Sequence, residues 1–208
     1  MNVRVKICGI NDPAAFDAAV EAGADWVGFV FYPPSPRYVA VETAAALSAR
    51  VSGGLGRVGL FVDPSDGLVE SVLRAIGLDA LQIYAGSGRV AELRTRFRRP
   101  VWHALGIETE MDLPTTAGTA DRLVLEAKPP VEATRPGGNA ARFDWSVLRG
   151  WRAPSPWILA GGLTAENVGM AVRATGATAV DVSSGVERRP GVKDLALIRA
   201  FVAAARGQ

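Results

Sequence analysis

Gly23-Ala24-Asp25-Trp26-Val27-Gly28-Phe29 recurs in altered form as Gly77-Leu78-Asp79-Ala80-Leu81-Gln82-Ile83, and again as Gly176-Ala177-Thr178-Ala179-Val180-Asp181-Val182. In each copy a helical stretch stops at glycine, which supplies the left-handed C′ conformation, and an apolar run begins about four residues later. The repeated unit is therefore helix, short turn, buried strand. Extended outward, the pattern predicts strands at Val3–Cys8, Trp26–Tyr32, Val58–Val62, Ala80–Tyr84, Val101–Leu105, Arg122–Ala127, Trp157–Ala160 and Ala179–Ser183. Most of these runs are continuously apolar rather than alternating. Strands of that kind are buried on both faces, as in a parallel sheet covered by helices.

Helical stretches lie between them. Asp12 and Pro13 open the first as N-cap and N1. Val41–Val51, Ser65–Ile76 and Arg89–Phe97 follow, Thr164-Ala165-Glu166-Asn167 opens another, and Asp194–Ala204 is the last. The stretch around Thr109–Ala117 is a weak helix because Pro114 interrupts it. Eight units in 208 residues average about 26 residues each, near the lower limit for a (β/α)8 barrel. The expectation is an α/β fold, a single (β/α)8 TIM barrel forming one domain over residues 1–208. An open doubly wound sheet is the alternative. It would more often have fewer strands, and no G-x-G-x-x-G opens a helix after the first strand. The longest irregular segment, Lys128–Arg142, is rich in Pro and Gly and follows the sixth strand.

Composition narrows the function classes. A hydrophobic content of 49% with 21% charged residues is that of a soluble globular protein. No apolar run reaches the roughly 18 residues of a membrane span, and Met1–Lys6 has no apolar leader. A cytoplasmic protein without membrane contact is expected. The single cysteine and single histidine argue against a disulfide or a Cys/His metal site. Net charge is +2 and the isoelectric point is about 9.0. Basic residues are nevertheless dispersed among acids, and Arg94, Arg96, Arg98 and Arg99 read as one solvated helix face rather than a nucleic-acid patch.

In a barrel of this class, strand C-termini and the loops beyond them form the active site. That rule selects Cys8, Arg37, Asp63, Gln82, Glu126, Asp181 and two glycine turns, Gly161-Gly162 and Ser183-Ser184-Gly185. Cys8 is a base or nucleophile only as thiolate, which requires a lowered pKa; Lys6 lies on the same side of the strand to help. Glu126 ends the sixth strand, where partial burial suits a carboxyl group to proton donation near neutrality. The turns after strands seven and eight suit a phosphate, because glycine permits close approach of backbone N–H groups. Arg37 stands in the proline-stiffened loop Tyr32-Pro33-Pro34-Ser35-Pro36-Arg37-Tyr38 and suits a carboxylate. His103 reads as structural. Together these residues point to acid–base chemistry on a small phosphorylated substrate.

The same residues resemble the phosphoribosylanthranilate isomerase family of tryptophan biosynthesis over essentially the whole chain. The matching segments are Val5-Lys6-Ile7-Cys8-Gly9-Ile10, Gly28-Phe29-Val30-Phe31-Tyr32-Pro33-Pro34-Ser35-Pro36-Arg37-Tyr38-Val39 and Gly59-Leu60-Phe61-Val62-Asp63. Further on come Glu126-Ala127-Lys128-Pro129-Pro130, Pro136-Gly137-Gly138-Asn139, Phe143-Asp144-Trp145, Leu159-Ala160-Gly161-Gly162-Leu163-Thr164 and Val180-Asp181-Val182-Ser183-Ser184-Gly185-Val186-Glu187. The resemblance implies a (β/α)8 barrel that carries out an Amadori rearrangement without cofactor or metal, as a monomer or homodimer. It implies Cys8 as general base, Glu126 as general acid, and Arg37 on the anthranilate carboxylate. It places the turns after strands seven and eight on the phosphate, with Asp181 and Gln82 at the site.

The chain departs from the family pattern at four places. Glu126 stands where aspartate is usual, and Leu81-Gln82-Ile83-Tyr84-Ala85 replaces Leu-Gln-Leu-His-Gly. Gly137-Gly138-Asn139-Ala140 replaces Gly-Gly-x-Gly, and His103 takes a position that more often carries lysine. Two other functions compete: a related aminoaldose isomerase of histidine biosynthesis, and a catalytically impaired phosphosugar-binding barrel. Retained Cys8 and the lack of a glycine turn after strand three argue against the first.

Overall fold

The computed structural model describes residues 3–128, 137 and 144–207. Eight parallel strands close into a barrel in chain order. They are β1 (Arg4–Cys8), β2 (Trp26–Val30), β3 (Gly56–Val62), β4 (Ala80–Tyr84), β5 (Val101–Ile107), β6 (Arg122–Ala127), β7 (Trp157–Leu159) and β8 (Ala179–Val182). β1 closes the ring on β8, with Lys6 opposite Asp181. All eight expected strands are present, and the expected barrel class holds. Among the described residues no helix is long and apolar enough to cross a membrane.

Six α-helices pack outside: α1 (Pro13–Glu21), α2 (Val41–Ser48), α3 (Asp66–Ala75), α4 (Ser87–Phe97), α5 (Val168–Thr175) and α6 (Leu195–Arg206). Their starts follow local chemistry. Side chains of Asp12, Ser65 and Asp194 accept the backbone N–H groups of Ala15, Leu68 and Ala196 at 2.9, 3.3 and 2.9 Å, satisfying donors that a helix N-terminus leaves without partners. The weak fifth helix is reduced to a single 3-10 turn, Glu110–Asp112, consistent with Pro114 removing a donor. Between β6 and β7 the described residues contain only the 3-10 turn Trp145–Leu148. The remainder of the Lys128–Arg142 segment, including Ala140, lies outside the described residues apart from Lys128 and Gly137.

The repeat that announces the fold has a stabilising basis that glycine explains only in part. Gly23 and Gly176 adopt φ of 76° and 69°, as expected of helix stops, whereas Gly77 is not among the positive-φ glycines. There α3 ends on Ile76 in extended conformation. What recurs is the aspartate. The Val5 N–H donates to Asp25 Oδ2 at 2.8 Å, while the Asp25 N–H donates to the Val5 carbonyl at 2.8 Å. Arg57 and Asp79 exchange the same two bonds at 2.7 and 2.8 Å, and Val101 and Asp121 repeat them at 2.8 Å each. Each aspartate thus clamps the start of an odd strand to the turn that leads into the next even strand. The turn before β8 carries Thr178 in place of the aspartate, and its backbone carbonyl accepts from the Arg4 N–H of β1 at 3.0 Å.

Inside the barrel the N-terminal end is plugged by aromatic rings. Trp26 and Trp102 meet edge to face at 5.2 Å, and the Arg4 guanidinium lies 3.9 Å from the Trp26 ring centroid. This apolar plug leaves the polar interior to the opposite, C-terminal end. A two-stranded hairpin follows β8, formed by β9 (Glu187–Arg189) and β10 (Val192–Lys193). Its Gly191, at φ 79°, sits so close to the Pro36 carbonyl that a Cβ would lie 2.2 Å from it.

Asp79→Ala removes one clamp and leaves the Arg57 N–H without its acceptor. It is expected to lower unfolding free energy by about 1–2 kcal/mol in urea titration, whereas Thr178→Ala, at the exposed equivalent site, should fall within about 0.5 kcal/mol of the parent.

Candidate active site

The C-terminal ends of the strands converge on one pocket. Cys8, Arg37, Glu126, Asp181, Gly161, Gly162, Ser183, Ser184 and Gly185 all line it, so nine of the expected residues meet at one rim. Gln82 is fully buried and is not among the lining residues. Asp63 also lies outside the lining.

Cys8 ends β1, 4% exposed. Lys6, two residues earlier on the same face, is 0% exposed and donates to both Asp181 oxygens at 3.0 Å. Burial pulls the Lys6 ammonium towards neutrality, but the Asp181 carboxylate and the Cys8 sulfur outweigh it and hold its pKa above the ordinary value. The thiol responds in the opposite sense to the sequence expectation. Burial pushes the Cys8 pKa up, and the Asp181 charge adds to that; Lys6 and Lys193 pull it down without winning. The protonated thiol is therefore the resting form near neutrality. Room for this arrangement comes from Gly28 on β2, opposite Cys8 in register. A Cβ there would lie 2.9 Å from Cys8 Sγ and 3.1 Å from Lys6 Cε.

Glu126 is 6% exposed at the end of β6. The Tyr84 hydroxyl, at the end of β4, lies on the same side of the pocket as its carboxyl group, both facing Gly137. Burial foremost, then the Glu126 charge, hold Tyr84 well above the ordinary phenol range. Gln82 Nε2 donates to the same phenolic oxygen at 3.3 Å. This orients the phenolic proton away from Gln82. Gly137 caps the pair: a Cβ on it would lie 2.7 Å from the Tyr84 hydroxyl and 2.8 Å from either Glu126 oxygen. His103, beyond this group, bonds the Ala85 carbonyl through Nε2 at 2.9 Å, the structural role expected of it. Ala85 is not among the residues with positive φ, so its backbone requires no glycine.

The two glycine turns touch one another. Gly161 and Gly162 adopt φ of 85° and 64°, and a Cβ on Gly161 would lie 2.7 Å from the Ala127 nitrogen. Asn167 ties this turn from below, its Nδ2 donating to the Gly162 carbonyl at 2.9 Å and its Oδ1 accepting from Thr164 N–H at 2.8 Å. Gly185 packs so closely that a Cβ would lie 1.8 Å from the Leu163 carbonyl oxygen. Side chains are excluded at both points, leaving a rim made of backbone.

Arg37 is 3% exposed. Its Nε and Nη2 donate to Glu187 Oε1 and Oε2 at 2.7 and 2.9 Å. Lys193, 4% exposed, donates to Glu187 Oε1 at 2.8 Å and to the Ser183 carbonyl at 2.9 Å. Burial works against charge on Glu187, but Arg37 and Lys193 outweigh it and hold its carboxyl below the usual carboxylate range.

Residues 5–204 match the family model described as N-(5'phosphoribosyl)anthranilate (PRA) isomerase. The chain belongs to the phosphoribosylanthranilate isomerase family. It is 54% identical over 202 residues to the N-(5'-phosphoribosyl)anthranilate isomerase of Acidiphilium cryptum, covering 97% of this chain and 98% of that one. Identity to the enzyme of Granulibacter bethesdensis is 50% over 207 residues, covering 99% of each. Among solved structures, the phosphoribosyl anthranilate isomerase from Thermotoga maritima superposes with a TM-score of 0.85 at 35% identity, covering 99% of this chain and 100% of that one. A phosphoribosyl anthranilate isomerase in complex with reduced 1-(o-carboxyphenylamino)-1-deoxyribulose 5-phosphate gives 0.85 at 34% identity, with the same coverage.

Sequence reasoning missed Lys193 and the part played by Glu187. Pro190-Gly191 is a turn signal that marks the hairpin, but no local pattern shows that its two strands turn Glu187 and Lys193 inward. Tyr84 stood out only as a departure from the isomerase family pattern; the structure gives it a partner.

Tyr84→Phe removes the hydroxyl that faces Gly137 beside the Glu126 carboxyl group. Turnover of N-(5′-phosphoribosyl)anthranilate should fall about tenfold in kcat, since small displacements of a reacting group are costly, with little change in thermal stability. A kcat equal to that of the parent would show that the hydroxyl does not position the carboxyl group.

Proposed function

We propose that this chain isomerises N-(5′-phosphoribosyl)anthranilate to 1-(2-carboxyphenylamino)-1-deoxyribulose 5-phosphate in tryptophan biosynthesis. The observation carrying this reading is the order of groups round one rim. Glu126 on β6 comes first, then the glycine turns after β7 and β8, then Cys8 on β1 and Arg37 after β2. A phosphate seated on the turns places the attached ribose between a carboxyl group and a thiol, with the guanidinium next to the thiol.

The chemistry then divides between two walls. Protonated Glu126 donates to the furanose ring oxygen as the C1′–O4′ bond breaks, and the anilino nitrogen lone pair forms the C1′=N bond of a Schiff base. Cys8, as thiolate, takes the proton from C2′, and the C2′–H electrons form the C1′=C2′ bond of an enolamine as the C1′=N π electrons return to the nitrogen. The enolamine tautomerises to the 2′-ketone. Oxidation at C2′ and reduction at C1′ balance within the substrate. The backbone N–H groups of Gly162 and Ser184–Gly185 hold the phosphate. Arg37 holds the anthranilate carboxylate through the guanidinium nitrogen that Glu187 does not use. Asp181 acts through Lys6, keeping an ammonium under the thiol.

A resting thiol is compatible with a base because the thiolate fraction grows as pH approaches the Cys8 pKa. That pKa is raised, so the base is protonated at low pH and becomes competent as pH increases. In the parent, loss of the Glu126 proton opposes that gain, so we expect the increase in kcat/KM from pH 7 towards about pH 9, followed as loss of substrate fluorescence with spontaneous hydrolysis subtracted, in the residual activity of Glu126→Gln, where Cys8 alone titrates. Cys8→Ser and Glu126→Gln are each expected to lower kcat by about 10²–10⁴-fold. Full turnover by Glu126→Gln, with Cys8→Ser inactive, would overturn the acid assignment; parental rates in both variants would overturn the mechanism.

A further inference from the structure

Glu187 lies behind the substrate pocket and is not among the lining residues, yet four donors converge on its carboxylate. Arg37 supplies two, at 2.7 and 2.9 Å, Lys193 one at 2.8 Å, and the Gly191 N–H one at 3.3 Å. The Glu187 side chain is 3% exposed, and those of Arg37 and Lys193 are 4% and 0%. A buried carboxylate in such a place is held at a cost unless its lone pairs are filled, and here they are.

The donors come from two separate parts of the chain. Arg37 belongs to the loop between β2 and α2, and Gly191 and Lys193 to the hairpin β9–β10. Lys193 also donates to the Ser183 carbonyl at 2.9 Å, at the start of the turn after β8. The parts pack against one another as well as bonding. A Cβ on Gly9 would lie 2.7 Å from Arg37 Cδ, and the hairpin turn abuts the Pro36 carbonyl. With two cations on one anion, the cluster keeps one positive charge in excess beside the pocket.

We propose that Glu187 is a positioning residue that couples the two ends of the substrate site. Its carboxylate sets the guanidinium of Arg37 at the carboxylate end and, through Lys193 and the Ser183 carbonyl, the backbone turn at the phosphate end. The two anionic groups of one substrate are thereby held at a set separation by a side chain that touches neither. This rests on the isomerase reading for the identity of those groups.

Two fragments separate the ends: inorganic phosphate for the turn and anthranilate for the guanidinium. Glu187→Gln keeps the size but loses the charge and turns an amide against the donors. In this variant KM is expected to increase about tenfold or more, with kcat within about threefold of the parent. Calorimetric titration should show both fragments binding more weakly. Lys193→Met should weaken phosphate more than anthranilate. Glu187→Asp, which retains the charge on a shorter arm, should recover part of the loss in both titrations and supplies the same readout if the glutamine variant does not fold. Unchanged KM and unchanged binding of both fragments in a folded Glu187 variant would overturn the coupling, as would loss of one fragment alone in Glu187→Gln. If the parent protein turns over no N-(5′-phosphoribosyl)anthranilate, the isomerase reading fails, while the fragment titrations still decide whether Glu187 couples the two ends.

Discussion

Lys6 and Asp181 hold the two ends of the barrel together. Their strands, β1 and β8, close the ring, and the residues face each other in register. The ammonium sits between both carboxylate oxygens at 3.0 Å, completely buried. Neither charge is tolerable there alone, so each requires the other and the closed ring that brings them together. The pair also determines what the site above it does. An ammonium beneath Cys8 favours the thiolate while the neighbouring carboxylate disfavours it, and burial leaves the thiol protonated at rest. Gly28 is part of the same constraint, because any larger residue would displace both Lys6 and Cys8.

The charged groups form two separate assemblies with different duties. Lys6 and Asp181 are balanced and lie inside the barrel, where they act on the Cys8 thiol in opposite senses. Arg37, Lys193 and Glu187 lie at the mouth, carry one excess positive charge and hold loops. An active site in a barrel needs both kinds of order: fixed groups on strand ends, and loops whose position is over-determined by side chains behind them. The same division explains why glycine recurs at the rim. Gly161 and Gly185 are places where one backbone approaches another too closely for a Cβ.

The departure at Glu126 has a physical counterpart in Tyr84. A glutamate carries its carboxyl group one methylene further than an aspartate, and gains a rotatable bond that must be fixed. The Tyr84 hydroxyl, oriented by Gln82, faces Gly137 beside it. Read along the chain, these are two separate substitutions in strands four and six. In the barrel they are neighbours across the mouth, both facing Gly137.

Continuous apolar runs and recurring glycine turns made the eight strands legible, because burial on both faces and a sharp helix stop are local requirements that restrict residue type. The positions of Cys8, Glu126 and the two glycine turns followed from the rule that barrel strands present their C-terminal ends to the site. Pro114 announced the reduced fifth helix. Local chemistry misled at two points: Gly77 does not stop its helix in left-handed form, and Lys6 alone does not lower the Cys8 pKa. The first depends on how α3 meets β4, the second on a summed field from Asp181, Lys193 and the surrounding burial. The Glu187 cluster, the Tyr84–Glu126 contact and the touching turns bring together residues tens of positions or more apart. Sequence by itself determined which residues could form strands, turns and acid–base groups, since those properties reside in single side chains and short spacings. Tertiary structure alone decided which charges share a low-dielectric interior, because electrostatic energy there depends on separation in space and on burial, and the order of residues along the chain specifies neither.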